Sequence, residues 1–354
     1  MPSKLIPNRA RPSLKLRPSF PEFLIRKGRH EMISRRSFHM LAAGWGATAL
    51  SRPASASTFP DRTISIVVPF PAGSGTDSVA RLVQPLMSSA IGGSIIIDNR
   101  AGATGTLAPQ FVSRAPGDGY AILMATSTSN IISPALGVNN SYHPIDDFAP
   151  VGLIGVFPFL LAVGSTFPAT NVRELIDYAK KSPTPLQYAV GNGTGLLAGA
   201  AFKEYAGIDT TAIPYRGTPP ALTDLMAGRV QYMFVDATTA LSHIRAGTIR
   251  ALGVTTAKPS ELLPGVPPVA AAGLPKFDIA AWCGLSVPKA TPTDVISKLE
   301  GALQAALGTQ GLRQRMADIG FEHMPLNASG FATYVATDSV KMRNLIADAR
   351  VTQL

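Results

Sequence analysis

The chain has 354 residues, 46% of them hydrophobic, and a formal charge of +10. That excess is local: residues 1–56 hold 11 of the 32 Lys and Arg and 2 of the 22 Asp and Glu, leaving 21 basic against 20 acidic residues beyond them, so the charge gives no support to a nucleic-acid partner. The lone cysteine, Cys283, excludes an internal disulfide, and stability must come from core burial in the roughly 300 remaining residues, enough for two domains.

The first 56 residues read as an export leader. Ser34-Arg35-Arg36-Ser37-Phe38-His39-Met40 is a twin-arginine n-region, Leu41 to Leu50 is an apolar run, and Ala54-Ser55-Ala56 is a small-residue cleavage site. The run is shorter than the ~20 residues that span a bilayer. The expectation is cleavage after Ala56 and a soluble periplasmic product. Residues 1–31 show no periodicity and carry no fold.

Ile64 to Val68 is a buried strand, and it opens into the glycine-rich turn Pro69-Phe70-Pro71-Ala72-Gly73-Ser74-Gly75-Thr76-Asp77. Val79, Leu82, Val83, Leu86, Met87 and Ile91 then fall at helical spacing, with Pro85 predicting a kink or an early stop. Ser94 to Ile97 is a second strand, followed by Asn99 to Gly105 and a short helix to about Arg114. Pro116-Gly117-Asp118-Gly119 turns the chain into a strand over 120–125. Ser127, Thr128 and Ser129 follow that strand and offer hydroxyls at its end.

Phe159 to Val163, Val230 to Val235 and Ile249 to Val254 are further apolar strands, spaced as in βαβ units. Between them Asn171 with Glu174 resembles a capping box, and Thr218-Pro219 and Thr291-Pro292 place proline at helix starts. A second glycine turn, Tyr188-Ala189-Val190-Gly191-Asn192-Gly193-Thr194-Gly195, again follows a strand and opens a helix. Asp236 closes the strand that begins at Val230.

A strand ending in glycines exposes backbone N–H groups, and the following helix adds its positive end, so each turn can cradle an anion without a charged side chain. Two cradles more than a hundred residues apart imply two lobes with a ligand cleft between them, beyond the carboxyl ends of the strands. The predicted class is α/β, each lobe a mainly parallel sheet flanked by helices. The expected lobes are 57–158 plus 282–354, and 159–281. Asp77 is either a helix cap or a contact for a ligand amino group, and Arg216 either forks onto a ligand carboxylate or is a solvated surface arginine.

Catalytic machinery is not evident. No two of His143, His243 and His323 share a helical face, and no metal or nucleophile motif stands out. A dinucleotide site has Asp98 where a ribose-binding acid belongs, but Ser78 and Leu196 stand where the third glycines are needed.

Pro69-Phe70-Pro71-Ala72-Gly73 with Asp77, Asp98-Asn99-Arg100-Ala101-Gly102, Gly117-Asp118-Gly119-Tyr120, Asp147-Phe148-Ala149-Pro150-Val151, Pro214-Tyr215-Arg216-Gly217 and Trp282-x-Gly284 follow one another in order. Together they resemble the Bug family of extracytoplasmic solute receptors, the binding components of tripartite tricarboxylate transporters. The resemblance implies a two-lobed periplasmic-binding-protein-like fold that closes on a small organic carboxylate through amides, hydroxyls and bridging water, then meets a membrane permease. The expected protein is a monomer with no catalysis and no cofactor. Carried over by motif, the ligand contacts are Phe70, Ala72, Gly73, Ser74 and Thr76 on one side and Asn192, Gly193, Thr194, Tyr215, Arg216 and Gly217 on the other, with Ser127, Thr128 and Asp236 read from position. Gly73-Ser74-Gly75 departs from the family's adjacent glycines. The rival readings are an exported cofactor-binding oxidoreductase and the ligand-sensing subunit of a signalling system.

Overall fold

A computed structural model describes residues 59–102, 105–138 and 141–351. The export-leader reading over 1–56 lies outside the described residues.

The first strand, β1 (Ile64–Val68), leads into α1 (Gly75–Ile91), β2 (Ile95–Asn99), α2 (Leu107–Ser113) and β3 (Ala121–Thr126). A π-helical turn, Thr128–Ile132, runs directly into the short α3 (Ser133–Ala135). The chain then enters β4 (Phe148–Gly164), α4 (Val172–Lys181), β5 (Leu186–Val190), α5 (Gly193–Ala206), β6 (Thr210–Pro214), α6 (Thr218–Met226), β7 (Tyr232–Asp236), α7 (Ala237–Arg245) and β8 (Ile249–Val254). It returns through β9 (Ala280–Pro288), α8 (Thr293–Leu307), α9 (Leu312–Asp318), β10 (Glu322–Leu326) and α10 (Ala328–Asp348).

Two parallel groups, β2-β1-β3 and β6-β5-β7, form the ends of one curled sheet ordered β2-β1-β3-β9-β4-β7-β5-β6. Antiparallel strands join them. β4 pairs β9 from Phe148 to Pro158 and then changes partners, pairing β7 and β8 from Phe159 onward. The fold is therefore α/β and two-lobed, with helices against a parallel group on each side.

β4 is 17 residues long, whereas the apolar run alone predicts only its last third. Pro150, Gly152, Gly155 and Pro158 interrupt the pattern, and the structure absorbs the first three as register shifts against β9. At Gly155 a Cβ would stand 2.1 Å from the Glu322 carbonyl oxygen, so only glycine lets β10 lie this close.

Of the kink or early stop expected at Pro85, the stop does not occur. Pro85 is exposed, while Val79, Val83 and Met87 keep the opposite stripe of α1 in the core until Gly92 ends the helix in the left-handed region. Burying each such side chain is worth about 1.5–3 kcal/mol, which offsets the bond Pro85 forfeits. In the second lobe Phe202, Tyr232, Phe234 and Phe277 pack edge-to-face and stacked, setting the base on which α5 rests. No helix among the described residues is long and apolar enough to cross a membrane.

Candidate functional site

Four chain segments bring helix starts to the same place: α1, the π-helical turn after β3, α5 and α7. In the first, Ser74 is the N-cap and accepts the Asp77 N–H. Asp77 is thus the third helical residue, not the cap. Its carboxylate accepts the Gly73 N–H at 3.0 Å, Arg81 Nε at 2.9 Å and Asn99 Nδ2 at 2.9 Å, and Asn99 also holds the Phe70 carbonyl. Burial alone pushes the Asp77 carboxyl up, but Arg81 foremost, then Gly73 and Asn99, hold it below its ordinary value. The cap reading of Asp77 gives way to this one: the carboxylate locks the back of the turn to β2. The amides of Gly75 and Thr76 have no acceptor among the described residues and stay available at the helix start.

In the second cradle Asn192 caps α5 by accepting the Gly195 N–H at 2.8 Å. The Thr194 N–H donates to Thr128 Oγ1 at 3.2 Å, and the two hydroxyls also lie 3.2 Å apart. Ser127 Oγ is 3.5 Å from the Thr194 hydroxyl. Ser129, offered by the sequence as a third hydroxyl here, is tied instead to Thr126 and Asn130, bonds that shape the wide π-helical turn. A second contact crosses between the segments at Gly217, whose backbone is extended. A Cβ there would lie 2.7 Å from the Pro71 ring.

Asp236 ends β7 and caps α7, its Oδ1 accepting the Thr239 N–H and hydroxyl at 2.8 Å each. Burial pushes its carboxyl up against the pull of those two donors.

An inner cavity of about 20 Å³ is lined by Phe70, Thr76, Ser127, Thr128, Asn192, Thr194 and Asp236, with Trp282 behind them. A wider outer groove of about 650 Å³ is lined by Phe70, Pro71, Gly191, Asn192, Tyr215 and Arg216. Phe70 and Asn192 border both and divide them. Gly193 packs beside the inner cavity, against Thr128 and Ile132. Ala72 and Gly73 are exposed, Ser74 is spent on its cap, and none of the three lines either space. Tyr215 turns its hydroxyl to Asp224 at 2.8 Å, and burial together with that carboxylate pushes the phenol up to about 12. Arg216 is exposed on the groove's rim.

The sequence did not single out Asp338. Its carboxylate on α10 accepts the Trp282 indole N–H at 2.7 Å, across 56 residues that no local pattern connects.

A curled α/β sheet with helix starts converging between two lobes is the architecture of periplasmic binding proteins. The chain belongs to the tripartite tricarboxylate transporter receptor family, TctC, whose pattern it matches over residues 79–351. It is 30% identical over 307 residues to protein BugT of Bordetella pertussis, covering 85% of this chain and 90% of that one. Among solved structures, Rpa4515 of R. palustris with adipate is 34% identical, with a TM-score of 0.80 over 84% of this chain and all of the other. MatC of Rhodopseudomonas palustris with bound malate is 31% identical, with a TM-score of 0.76 over 81% of this chain and all of the other. The resemblance to the Bug receptors read from the sequence motifs is thereby shown.

Proposed function

We propose that this receptor is exported to the periplasm, with residues 1–56 as a twin-arginine leader removed after Ala56, and that it works there as a monomer without catalysis. Its lobes, 57–158 with 282–354 and 159–281, hinge where β4 changes partners and close on a small organic carboxylate. The closed form then presents its joined surface to the membrane permease.

One observation carries this reading: the free amides at the start of α1 and the start of α5 border one cavity, lined by the hydroxyls of Thr76, Ser127, Thr128 and Thr194, by apolar groups, and by Asn192 and Asp236. Backbone donors at two helix starts hold a carboxylate without a counter-ion. Adipate and malate in the two R. palustris relatives support the ligand class. The inner cavity has room for about one water-sized group, so a carboxylate enters only when Thr128 and Thr194 part, and its contacts to both sides then favour closure. The residues we assign to the ligand are Phe70, Thr76, Ser127, Thr128, Asn192, Gly193, Thr194 and Asp236, with Tyr215, Arg216 and Gly217 at the outer groove.

Purified protein is screened by thermal shift against mono-, di- and tricarboxylates. A ligand at 100 times its Kd stabilises by about 2.7 kcal/mol, and a shift confined to carboxylates is the expected result. No shift with any member of the panel overturns the proposal.

A further inference from the structure

We propose that Asp236 selects ligands that carry a hydrogen-bond donor, hydroxyl or ammonium, on the carbon next to a carboxylate. The inference rests on the receptor reading above and names its ligand class more narrowly.

Asp236 is 5% exposed and borders the inner cavity beside Thr76, Thr128 and Asn192. None of the ion pairs between described residues includes it. Its Oδ1 is occupied by Thr239 and abuts Gly75 of the opposite lobe, where a Cβ would lie 2.2 Å away. The one further donor to this carboxylate is its own backbone N–H, so no other described residue engages Oδ2. The carboxylate therefore stands against the very helix start that offers its amides to an anion.

A buried carboxylate in that place repels a plain dicarboxylate, since like charges at short range disfavour one another. Protonation can relieve the conflict, and burial does favour it. The local bonding works the other way: Oδ1 accepts two donors, and the group sits at the positive end of α7, both of which suit an acceptor. The arrangement is resolved by the ligand instead. A donor on the second carbon meets Oδ2 while the adjoining carboxylate takes the free amides of α1. A ligand without the donor leaves Oδ2 unpaired beside its own negative charge, and sites built around a buried polar group reject analogues that leave it unpaired.

The test uses matched sets that differ only at the second carbon: succinate, malate and aspartate, and adipate, 2-hydroxyadipate and 2-aminoadipate. Titration calorimetry on the wild type is expected to show at least one substituted acid binding tenfold or more tighter than its parent, and the hydroxy and amino arms separate the two donors. Asp236→Asn keeps the cap on α7, because Asn caps as well as Asp. It is expected to tighten binding of the unsubstituted parent severalfold and to shrink the preference for the amino acid to less than threefold. Equal wild-type affinity for parent and substituted acids, or an unchanged ratio in Asp236→Asn, overturns the role of Asp236 and leaves the receptor reading standing. A folded protein that binds another carboxylate of the wider panel but no member of either set overturns the role of Asp236 alone, and one that binds no carboxylate at all overturns the receptor reading itself.

Discussion

The Thr194 amide donates to the Thr128 hydroxyl across 66 residues of sequence, joining the start of α5 to the turn after β3. On the proposed hinge motion, opening the cleft breaks this bond and closing restores it. Thr128→Val removes the acceptor and leaves the Thr194 N–H buried without a partner, at about 1–3 kcal/mol, so ligand Kd should rise roughly 5- to 150-fold. Thr128→Ser keeps the hydroxyl and should bind within about threefold of wild type by the same reasoning. Calorimetry on the three proteins checks this, and wild-type affinity in Thr128→Val contradicts it.

Gly193 sits where a Cβ would meet Thr128 Cγ2 at 3.0 Å and Ile132 Cγ2 at 3.2 Å. Both neighbours lie in the proposed first lobe, so on the proposed hinge motion the collision falls on closure. Alanine needs a shift of a few tenths of an ångström. Valine adds two methyls with no room, and overpacking of about 1–3 kcal/mol should fall on binding. We expect Gly193→Val to lose affinity by roughly 10-fold or more while its melting temperature without ligand stays within a few degrees of wild type. A large fall in melting temperature instead would mean that the contact supports the fold rather than the cleft.

Where the period of the sequence is clean, the fold is legible. Ile249 to Val254 is a strand end to end, and Val79, Val83 and Met87 do face the core. β4 is not legible, because its prolines and glycines break the apolar run for reasons that lie in the neighbouring strands β9 and β10. Of the site, the two glycine turns and the Thr128 hydroxyl could be found from strand ends alone. The role of Asp77 could not, since although Arg81 is its i,i+4 neighbour on α1, it also depends on Asn99 reaching it from the end of β2. The Trp282 and Asp338 pair depends wholly on how α10 packs.

Asp77 carries a stability prediction with a definite direction in pH. Its folded carboxyl lies below the ordinary value of 3.8, so its contribution is complete above that value and is lost as pH falls through the lower folded one. Asp77→Ala strands the Gly73 amide and Asn99 and releases Arg81. Because the Arg81 side chain is 54% exposed, the expected loss is discounted to about 2 kcal/mol near neutral pH. Thermal melts from pH 7 down to pH 3 should show the gap between wild type and Asp77→Ala narrowing as the acid end is approached. A constant gap would remove the ionised carboxylate from the explanation.

Asp338 should behave in the opposite sense. Burial, the largest influence, raises its carboxyl against the pull of the Trp282 N–H and Lys341. The contribution of such a group is complete below the ordinary value and is lost as pH rises through the raised one. Asp338→Asn mimics the protonated form and keeps an acceptor for the indole, so its melting temperature should exceed that of wild type at pH 8 and converge with it near pH 4. Asp338→Leu leaves the Trp282 N–H buried and unpaired, costing about 1–3 kcal/mol at any pH. Trp282 is the one tryptophan of residues 57–354, so in protein comprising those residues its emission reports the wall of the inner cavity directly. A ligand found by thermal shift should change that emission in wild type and Asp338→Asn alike. The change should weaken in Asp338→Leu, where the indole is no longer held.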